Sequence, residues 1–270
     1  FEPFVVPVKS FKHSIESFYR MLCEQGTSEV AGENYKTVFF NDFAYICEAL
    51  DRLWGERYAM RDHATIDGVP KIVRLAVFAV ENSKGKIDAP TFSELLKQYQ
   101  RFSPLRISEL CTIETACRCA LFGYLSDLCD LANEIAEKES VARRDAKRKE
   151  FALKNITSCE YVSTVMRFAE PKFKTEVEQL LNDNGMNAED FVNLYEYKKT
   201  DLCASFSSVI ASLREIEQCF DCSTIISLSV ADKFMTECRD ELYTASDDAT
   251  KMYYLGLISE KAGKTNETVF

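Results

Sequence analysis

The sequence contains few of the residues that interrupt regular secondary structure. Its 270 residues include 9 glycines and 6 prolines, whereas average usage would give about 32 of the two together. All six prolines lie at or before Pro171. Because β-sandwiches and β-barrels need a turn residue about every 8–12 positions, this shortage excludes a turn-rich all-β fold. The composition indicates a mainly helical protein.

The residues of several common active sites are also scarce. The chain has only two histidines, His13 and His63, which leaves little material for a histidine-based triad or metal cluster. Glycine-rich phosphate loops of the Rossmann and Walker types are absent. The loop at Gly85 resembles a calcium loop, but its first and last ligand positions, Val80 and Thr91, carry no carboxylate. We therefore predict neither a metal ion nor a cofactor, and no set of catalytic residues stands out.

The charge balance restricts the class of partner. Lys and Arg number 33 against 43 Asp and Glu, which gives a net charge of −10 and argues against a nucleic-acid partner. No apolar run approaches the 18 residues of a membrane span. The first eleven residues lack the features of a signal peptide, and we interpret them as the edge of a segment cut from a longer protein.

The sequence contains many cysteines. Eleven cysteines are scattered through apolar stretches, and an odd number in such positions is not typical of a secreted disulfide framework. We predict that they are reduced, mostly buried, and held in the cytoplasm. Cys219 and Cys222 have the spacing of a redox or zinc motif, but no second pair or nearby histidine accompanies them, so we predict core packing for both.

Apolar periodicity and capping residues predict about ten helices. The predicted spans are 11–23, 41–54, 70–80, 88–99, 103–155, 155–168, 172–182, 188–220, 229–240 and 246–262. The run from 72 to 80 is also compatible with a strand by composition. Asp88, Ser103 and Ser229 are the expected N-caps, and Gly263 is expected to end the last helix. The predicted fold is all-α, in stacked hairpins or a bundle.

Residues 137–150 are almost all polar. Such a run is typical of a solvated helical connector with charge pairs four residues apart, and a docking surface is the alternative. It predicts an N-terminal lobe at 1–136, a connector at 137–154 and a C-terminal lobe at 155–270. Together they would form one compact fragment of a larger protein, and two lobes joined by a long charged helix are the alternative.

Two ordered blocks of the sequence resemble one family. The first contains GVP at 68–70, IVRLA at 72–76, KID at 86–88, YQ at 99–100, SPL at 103–105, ISEL at 107–110 and Arg118. The second contains VIASLR at 209–214, SV at 229–230, DELY at 240–243 and TKMYY at 250–254. Both resemble the region near the start of cyclic β-1,2-glucan synthases, over about residues 40 to 265. Cys111 and Lys71 stand where that family has tryptophan and arginine, so the chain looks like a divergent member.

The resemblance implies a non-catalytic helical region on the cytoplasmic face of a membrane glycosyltransferase. Its partner would be the transferase domain of the same polypeptide, and it could also handle the β-1,2-glucan chain. The candidate ligand or interface residues carried over by position are Tyr99, Gln100, Arg101, Glu109, Arg118, Arg214 and Tyr243. Alternatively, Tyr99 anchors a helix end, and Glu109 forms a buried pair with Arg118 or Arg214 that fixes helix packing.

Two other functions remain open from the residues alone. The charged connector and acidic composition would suit a free-standing helical scaffold for protein interactions. The helical content and many carboxylates would suit a glycosidase or transglycosylase on a helical barrel.

Arg214 leads to a specific structural expectation. Helical spacing places it at the margin of an apolar stripe formed by Phe206, Val209, Ile210, Leu213 and Ile216. An arginine at such a margin can bury its stem while its guanidinium reaches a carboxylate. We predict a buried pair with Asp240 or Glu241.

Overall fold

The computed structural model describes residues 3–25, 34–217, 219–238 and 240–265, and most of them are α-helical. The helices are α1 (Val8–Gln25), α2 (Tyr35–Gly55), α3 (Lys71–Asn82), α4 (Ala89–Gln100), α5 (Ile107–Leu110), α6 (Ile113–Arg148), α7 (Cys159–Phe168), α8 (Pro171–Asp183), α9 (Ala188–Ile216), α10 (Cys222–Leu228), α11 (Val230–Glu237), α12 (Glu241–Thr244) and α13 (Asp248–Thr265). A 3-10 turn covers Leu153–Asn155, and β1 (Thr65–Ile66) pairs with β2 (Val69–Pro70). The predicted all-α fold is confirmed.

The contacts divide the chain into two compact units. Unit 1 comprises Phe1–Phe11, Ala44–Leu125 and Ser208–Phe270, and unit 2 comprises Lys12–Phe43 and Ser126–Ser207. The grouping is therefore not the sequential one of 1–136, 137–154 and 155–270, because each unit is made of separated segments. Its boundaries fall inside α1, α2, α6 and α9, where no change in composition marks them.

Local turn and cap chemistry sets the start of α3 and α4 in unit 1. Asp67 and Gly68 both have positive φ, 48° and 77°, as a two-residue type I′ hairpin turn requires. This turn joins β1 to β2 and leads through Pro70 into α3. The Asp88 carboxylate then caps α4 by accepting a hydrogen bond from the Thr91 amide at 2.8 Å. The predicted helix starts at Pro70 and Asp88 are confirmed, and the strand alternative for 72–80 is wrong.

Packing in unit 1 joins segments that are far apart in the sequence. The buried Ile87 amide donates a hydrogen bond to Ser212 Oγ at 2.9 Å. The rings of Phe92 and Phe220 meet edge to face, with centroids 6.4 Å apart. The helices that follow Ser208 therefore complete the core begun by α3 and α4.

Several predicted helix boundaries are wrong. Ser103 does not cap a helix, because a bend separates α4 from the short α5, and its hydroxyl accepts a hydrogen bond from Lys71 Nζ at 3.0 Å. Gly263 does not end the last helix, since α13 continues to Thr265. The helix predicted over 188–220 ends at Ile216. The cap at Ser229 is confirmed, since its hydroxyl accepts from the Asp232 amide and begins α11.

Unit 2 is built around stacked aromatic rings. Phe18 of α1 packs against Phe39 of α2, with ring centroids 4.7 Å apart, and against Phe206 of α9, at 5.7 Å. Tyr35 stacks on Phe206 at 6.0 Å. All four are almost fully buried. Burial of an aromatic side chain is among the larger single contributions to a core, so this cluster holds the unit 2 parts of α1, α2 and α9 together.

The charged run at 137–150 is only partly a solvated connector. Ala142 and Ala146 of α6 are buried in a second apolar cluster with Val162 and Val165 of α7. A charged side chain of the run is buried as well: the Asp145 carboxylate accepts a hydrogen bond from the Tyr161 hydroxyl at 2.9 Å. One face of the run therefore belongs to the core of unit 2, although most residues of the run are charged.

Glu160 is the most heavily bonded carboxylate of unit 2. Its side chain is 6% exposed and accepts hydrogen bonds from Lys198 Nζ and Ser158 Oγ, both at 2.8 Å, while Lys138 Nζ lies 3.8 Å away. Burial by itself raises the pKa of Glu160. The bonds from Lys198, its own backbone amide and Ser158, together with the Lys138 charge, more than compensate and lower the pKa to about 2.

All eleven cysteines are free, but the prediction that most are buried is wrong. Four are buried (Cys117, Cys119, Cys129 and Cys159), three are half-buried (Cys47, Cys203 and Cys219) and four are exposed (Cys23, Cys111, Cys222 and Cys238). The exposed ones lie at or near helix ends, where Cys222 begins α10 and Cys238 follows α11. Core packing therefore does not describe the Cys219 and Cys222 pair; Asp221 between them caps α10.

Gly85 offers a sharp test of the packing in unit 1. It has φ +88°, and a Cβ at this position would collide with Val209 Cγ2 and lie 3.2 Å from Tyr124 Cε1. Gly185 has φ +72° and nothing within 4 Å, which makes it a matched control. We expect Gly185→Ala to lower the free energy of unfolding by about 1 kcal/mol through backbone strain alone. Gly85→Ala should cost about 1–3 kcal/mol more, because it also overpacks the core. Urea titration measures both, and equal losses would contradict the packing described.

The Glu160 contacts predict a defined pH dependence. The folded pKa of about 2 lies below the ordinary glutamate pKa of 4.5, so the stabilisation is present above about pH 4.5 and is lost as the pH falls towards 2. Between pH 6 and pH 3.5 the wild type should lose roughly 1–1.5 kcal/mol more unfolding free energy than Glu160→Gln. The exposed Glu178→Gln variant is the control and should follow the wild type. Parallel curves for the wild type and Glu160→Gln would refute the proposed origin of the pKa.

Candidate functional site

The seven residues carried over from the family all belong to unit 1, but they lie in separate surroundings. Gln100, Glu109, Arg118 and Tyr243 are buried, Tyr99 is half-buried, and Arg101 and Arg214 are exposed. The contacts of each decide whether it can meet a ligand.

Gln100 connects two helix ends. Its side-chain amide donates a hydrogen bond to the Leu228 carbonyl at 2.8 Å, and its side-chain oxygen accepts one from the Leu105 amide at 3.4 Å. Leu228 is the last residue of α10, and carbonyls there have no partner within the helix. Gln100 therefore ties the end of α4 and the loop after it to the end of α10.

Glu109 holds the start of α5. One carboxylate oxygen accepts a hydrogen bond from the Arg106 amide at 2.8 Å, which is half of a capping box. The other oxygen is buried and accepts no hydrogen bond from the described residues. His63 lies nearby, and burial lowers its pKa even though the charges of Glu109 and Asp62 act in the opposite direction. The expected pairing of Glu109 with Arg118 or Arg214 is not among the contacts of its carboxylate.

Arg118 forms a compact ionic group that we call the Arg118 cluster, made of Glu56, Glu114, Thr115 and Arg118. Its guanidinium donates to Glu56 at 2.5 Å and to Glu114 at 3.2 Å, and Glu56 also accepts from the Thr115 hydroxyl at 2.7 Å. The arginine side chain is 7% exposed, whereas the glutamates are 39% and 34% exposed. Burial raises the pKa of Glu114, with Arg118 opposing the shift and Glu56 adding to it.

The prediction of a buried Arg214 pair is wrong. Arg214 is exposed, and its guanidinium lies over the Tyr45 ring, 4.8 Å from the centroid. The Asp240 carboxylate instead accepts hydrogen bonds from the Leu242 and Tyr243 amides, both at 3.0 Å, and caps α12. A position at the margin of an apolar stripe let the arginine side chain turn outward onto an aromatic ring.

Tyr45 continues this polar surface. Its hydroxyl donates to Glu217 at 3.2 Å, and Arg52 also donates to the same carboxylate. Burial and the Glu217 charge raise the pKa of Tyr45 to about 12, so the hydroxyl stays protonated at neutral pH and acts as a donor.

Tyr243 serves the packing of the C-terminal helices. It is 2% exposed, and its hydroxyl donates to Asp232 of α11 at 2.6 Å. Lys251 of α13 lies over its ring at 5.7 Å. The side chain thus joins α11, α12 and α13.

Tyr99 and Arg101 lie at the end of α4. The Tyr99 carbonyl accepts hydrogen bonds from the Phe102 and Ser103 amides at 2.9 and 3.1 Å, which fits the alternative that this residue secures a helix end. Arg101 follows α4 and points its exposed side chain into a surface groove.

That groove is the candidate site, and we call it the basic groove. It has a volume of about 740 Å³ and is lined by Lys97, Gln100, Arg101, Phe102, Pro104, Ser227, Leu228, Ser229, Val230 and Lys233. Three of these side chains are basic, and no carboxylate belongs to the described residues that line it. Gln100 and Arg101 are the two carried-over residues that it brings together.

Sequence reasoning missed Lys97, Phe102 and Lys233. Lys97 and Arg101 are four residues apart at the end of α4, where cations complement the helix dipole, so this spacing was a usable signal. Lys233 lies 132 positions beyond Arg101, and the packing of α10 against α4 and of α11 against α10 brings it to the groove.

The described residues contain neither a metal-binding cluster nor a membrane-spanning helix. In the described ranges, no group of three or more His, Cys, Asp or Glu residues could hold a metal ion. None of the described helices combines the length and apolar character needed to cross a membrane.

Comparison with known proteins gives no assignment. No protein-family model matches the sequence, and no curated protein matches it significantly.

The Arg118 cluster and Arg214 give contrasting stability predictions. Arg118→Ala leaves two partly buried carboxylates without their cation, and we expect a loss of roughly 2 kcal/mol, below the 3–5 kcal/mol of a fully buried pair. Arg214→Ala removes an exposed guanidinium that lies over the Tyr45 ring, so its loss should stay under about 1 kcal/mol. Urea unfolding of the two variants tests the difference. A larger loss for Arg214→Ala would reverse the assignment of structural and surface roles.

Proposed function

We propose that this chain is a non-catalytic helical accessory region of a cyclic β-1,2-glucan synthase-like glycosyltransferase and that it packs on the transferase domain. The observation that carries the proposal is the position of the two sequence blocks that resemble the family. Residues 68–118 and 209–254 both belong to unit 1, although unit 2 residues separate them in the chain.

The two blocks contact each other through their own motif residues or close neighbours. Gln100 of the first block bonds the Leu228 carbonyl next to the SV motif of the second. The Ile87 amide within KID bonds Ser212 within VIASLR. Residues that recur together in a family are readily explained when they build one folded unit, and this agreement supports the resemblance independently of any single motif.

The surroundings of the carried-over residues favour a structural role over catalysis. Gln100, Glu109, Arg118 and Tyr243 are buried and bonded to neighbouring helices or loops. A catalytic group must be reachable by substrate, so these four serve the fold. Handling of a glucan chain stays a prediction, and it would fall on the accessible residues Tyr99, Arg101 and Arg214.

The scaffold and glycosidase alternatives differ from the proposal in testable ways. A free-standing scaffold needs no transferase. A glycosidase would use a carboxylate pair, for which Glu56 and Glu114 of the Arg118 cluster are the half-exposed candidates.

The decisive experiment uses the natural reading frame that encodes this chain. We expect it to encode a membrane transferase in the same polypeptide. When the transferase region is expressed separately and solubilised in detergent, we expect it to co-purify with the tagged chain. A reading frame without a transferase, or a transferase that does not bind the chain, would overturn the proposal.

A second assay tests the proposal that the chain is not catalytic. Purified chain is incubated with linear β-1,2-glucans, with and without UDP-glucose, and the glucans are analysed by mass spectrometry. Unchanged glucan is the expected result. A shortened, extended or cyclised product that disappears in Glu114→Gln would establish a catalytic role instead.

A further inference from the structure

The basic groove has a charge opposite to that of the whole protein. The chain carries a net charge of −10, yet Lys97, Arg101 and Lys233 all line one groove. Lys233 pairs with Glu237 at 3.9 Å, and the side chains of this pair are 76% and 67% exposed. Exposed pairs of this kind interact weakly in water, so Glu237 does not cancel the positive charge of Lys233.

The groove also presents an aromatic ring to solvent. Phe102 is 90% exposed, the highest value among the large hydrophobic side chains that are described as exposed. Its position in the bend after α4 is fixed by the bond from its amide to the Tyr99 carbonyl. An exposed ring beside cations can stack on a planar group of a ligand.

A backbone amide at the start of α11 suits the same ligand. Ser229 and Val230 line the groove there. The Ser229 amide already donates to the Ile226 carbonyl at 2.9 Å, whereas Val230 lies in the first turn of α11, where amides have no carbonyl partner within the helix and favour anions. The wall is rigid at this point, because Gln100 holds the neighbouring Leu228 carbonyl.

From these features we infer that the basic groove binds a small phosphorylated ligand that carries a planar ring, such as a nucleoside diphosphate. The phosphates lie between Arg101, Lys97 and Lys233, and the ring stacks on Phe102. The volume of about 740 Å³ falls within the range of small-molecule sites. The inference rests on the groove alone and stands whether or not the chain serves a glucan synthase.

The test is calorimetric titration of the purified chain with three probes in magnesium-free, low-salt buffer: ADP, pyrophosphate and adenosine. We expect ADP to bind more tightly than pyrophosphate and adenosine to bind least. Failure of both ADP and pyrophosphate to bind at millimolar concentration would overturn the inference.

Variants assign the binding to the groove. Because a charged hydrogen bond to phosphate is lost, Arg101→Ala should weaken ADP and pyrophosphate binding about tenfold or more. Phe102→Ala should weaken ADP about three- to tenfold and leave pyrophosphate unchanged. Arg61→Ala, a substitution of an exposed arginine of unit 1 outside the groove, is the control and should bind as the wild type does. Equal affinities for Arg101→Ala and Arg61→Ala would place the phosphate elsewhere and refute the site.

Discussion

The hydrogen bond from Gln100 to the Leu228 carbonyl is the contact on which unit 1 and its groove depend. A buried carbonyl at the end of a helix must find a partner, because leaving it without one costs about 1–3 kcal/mol. Gln100 supplies that partner from a segment 128 residues away, and its oxygen simultaneously fixes the loop that carries Arg101 and Phe102. One buried side chain therefore joins the end of α4 both to the end of α10 and to the loop that carries Arg101 and Phe102.

This arrangement separates residues that build the fold from residues that can meet a partner. The carried-over residues with buried side chains cap helices or join them, as Glu109 and Tyr243 do. The accessible charge and the exposed ring lie beside them, at Arg101 and Phe102. A sequence motif such as YQ followed by arginine thus contains both kinds of residue side by side, and only their burial distinguishes them.

The sequence predicts features that depend on neighbours along the chain. Asp88 and Ser229 were identifiable as caps because the amide that each satisfies lies three residues away. Features that depend on distant contacts were not predictable. The two units are interleaved along the chain, and Lys233 reaches the groove only through tertiary packing. The errors have physical causes too: cysteines were treated as buried hydrophobes although several lie at helix ends, and the flexible stem of Arg214 allows it to leave the apolar stripe.

The most direct measurement of the central claim compares Gln100→Leu with Gln98→Leu. Both replace a glutamine of α4, but Gln98 is exposed and its side-chain amide donates to the Glu94 carboxylate at 3.2 Å on the surface of the same helix. Loss of the buried bond should lower the unfolding free energy of Gln100→Leu by about 1–3 kcal/mol, with little change for Gln98→Leu. Hydrogen exchange should at the same time become faster in α10 and in the loop after α4. Equal stability of the two variants, with unchanged exchange in both segments, would contradict the account.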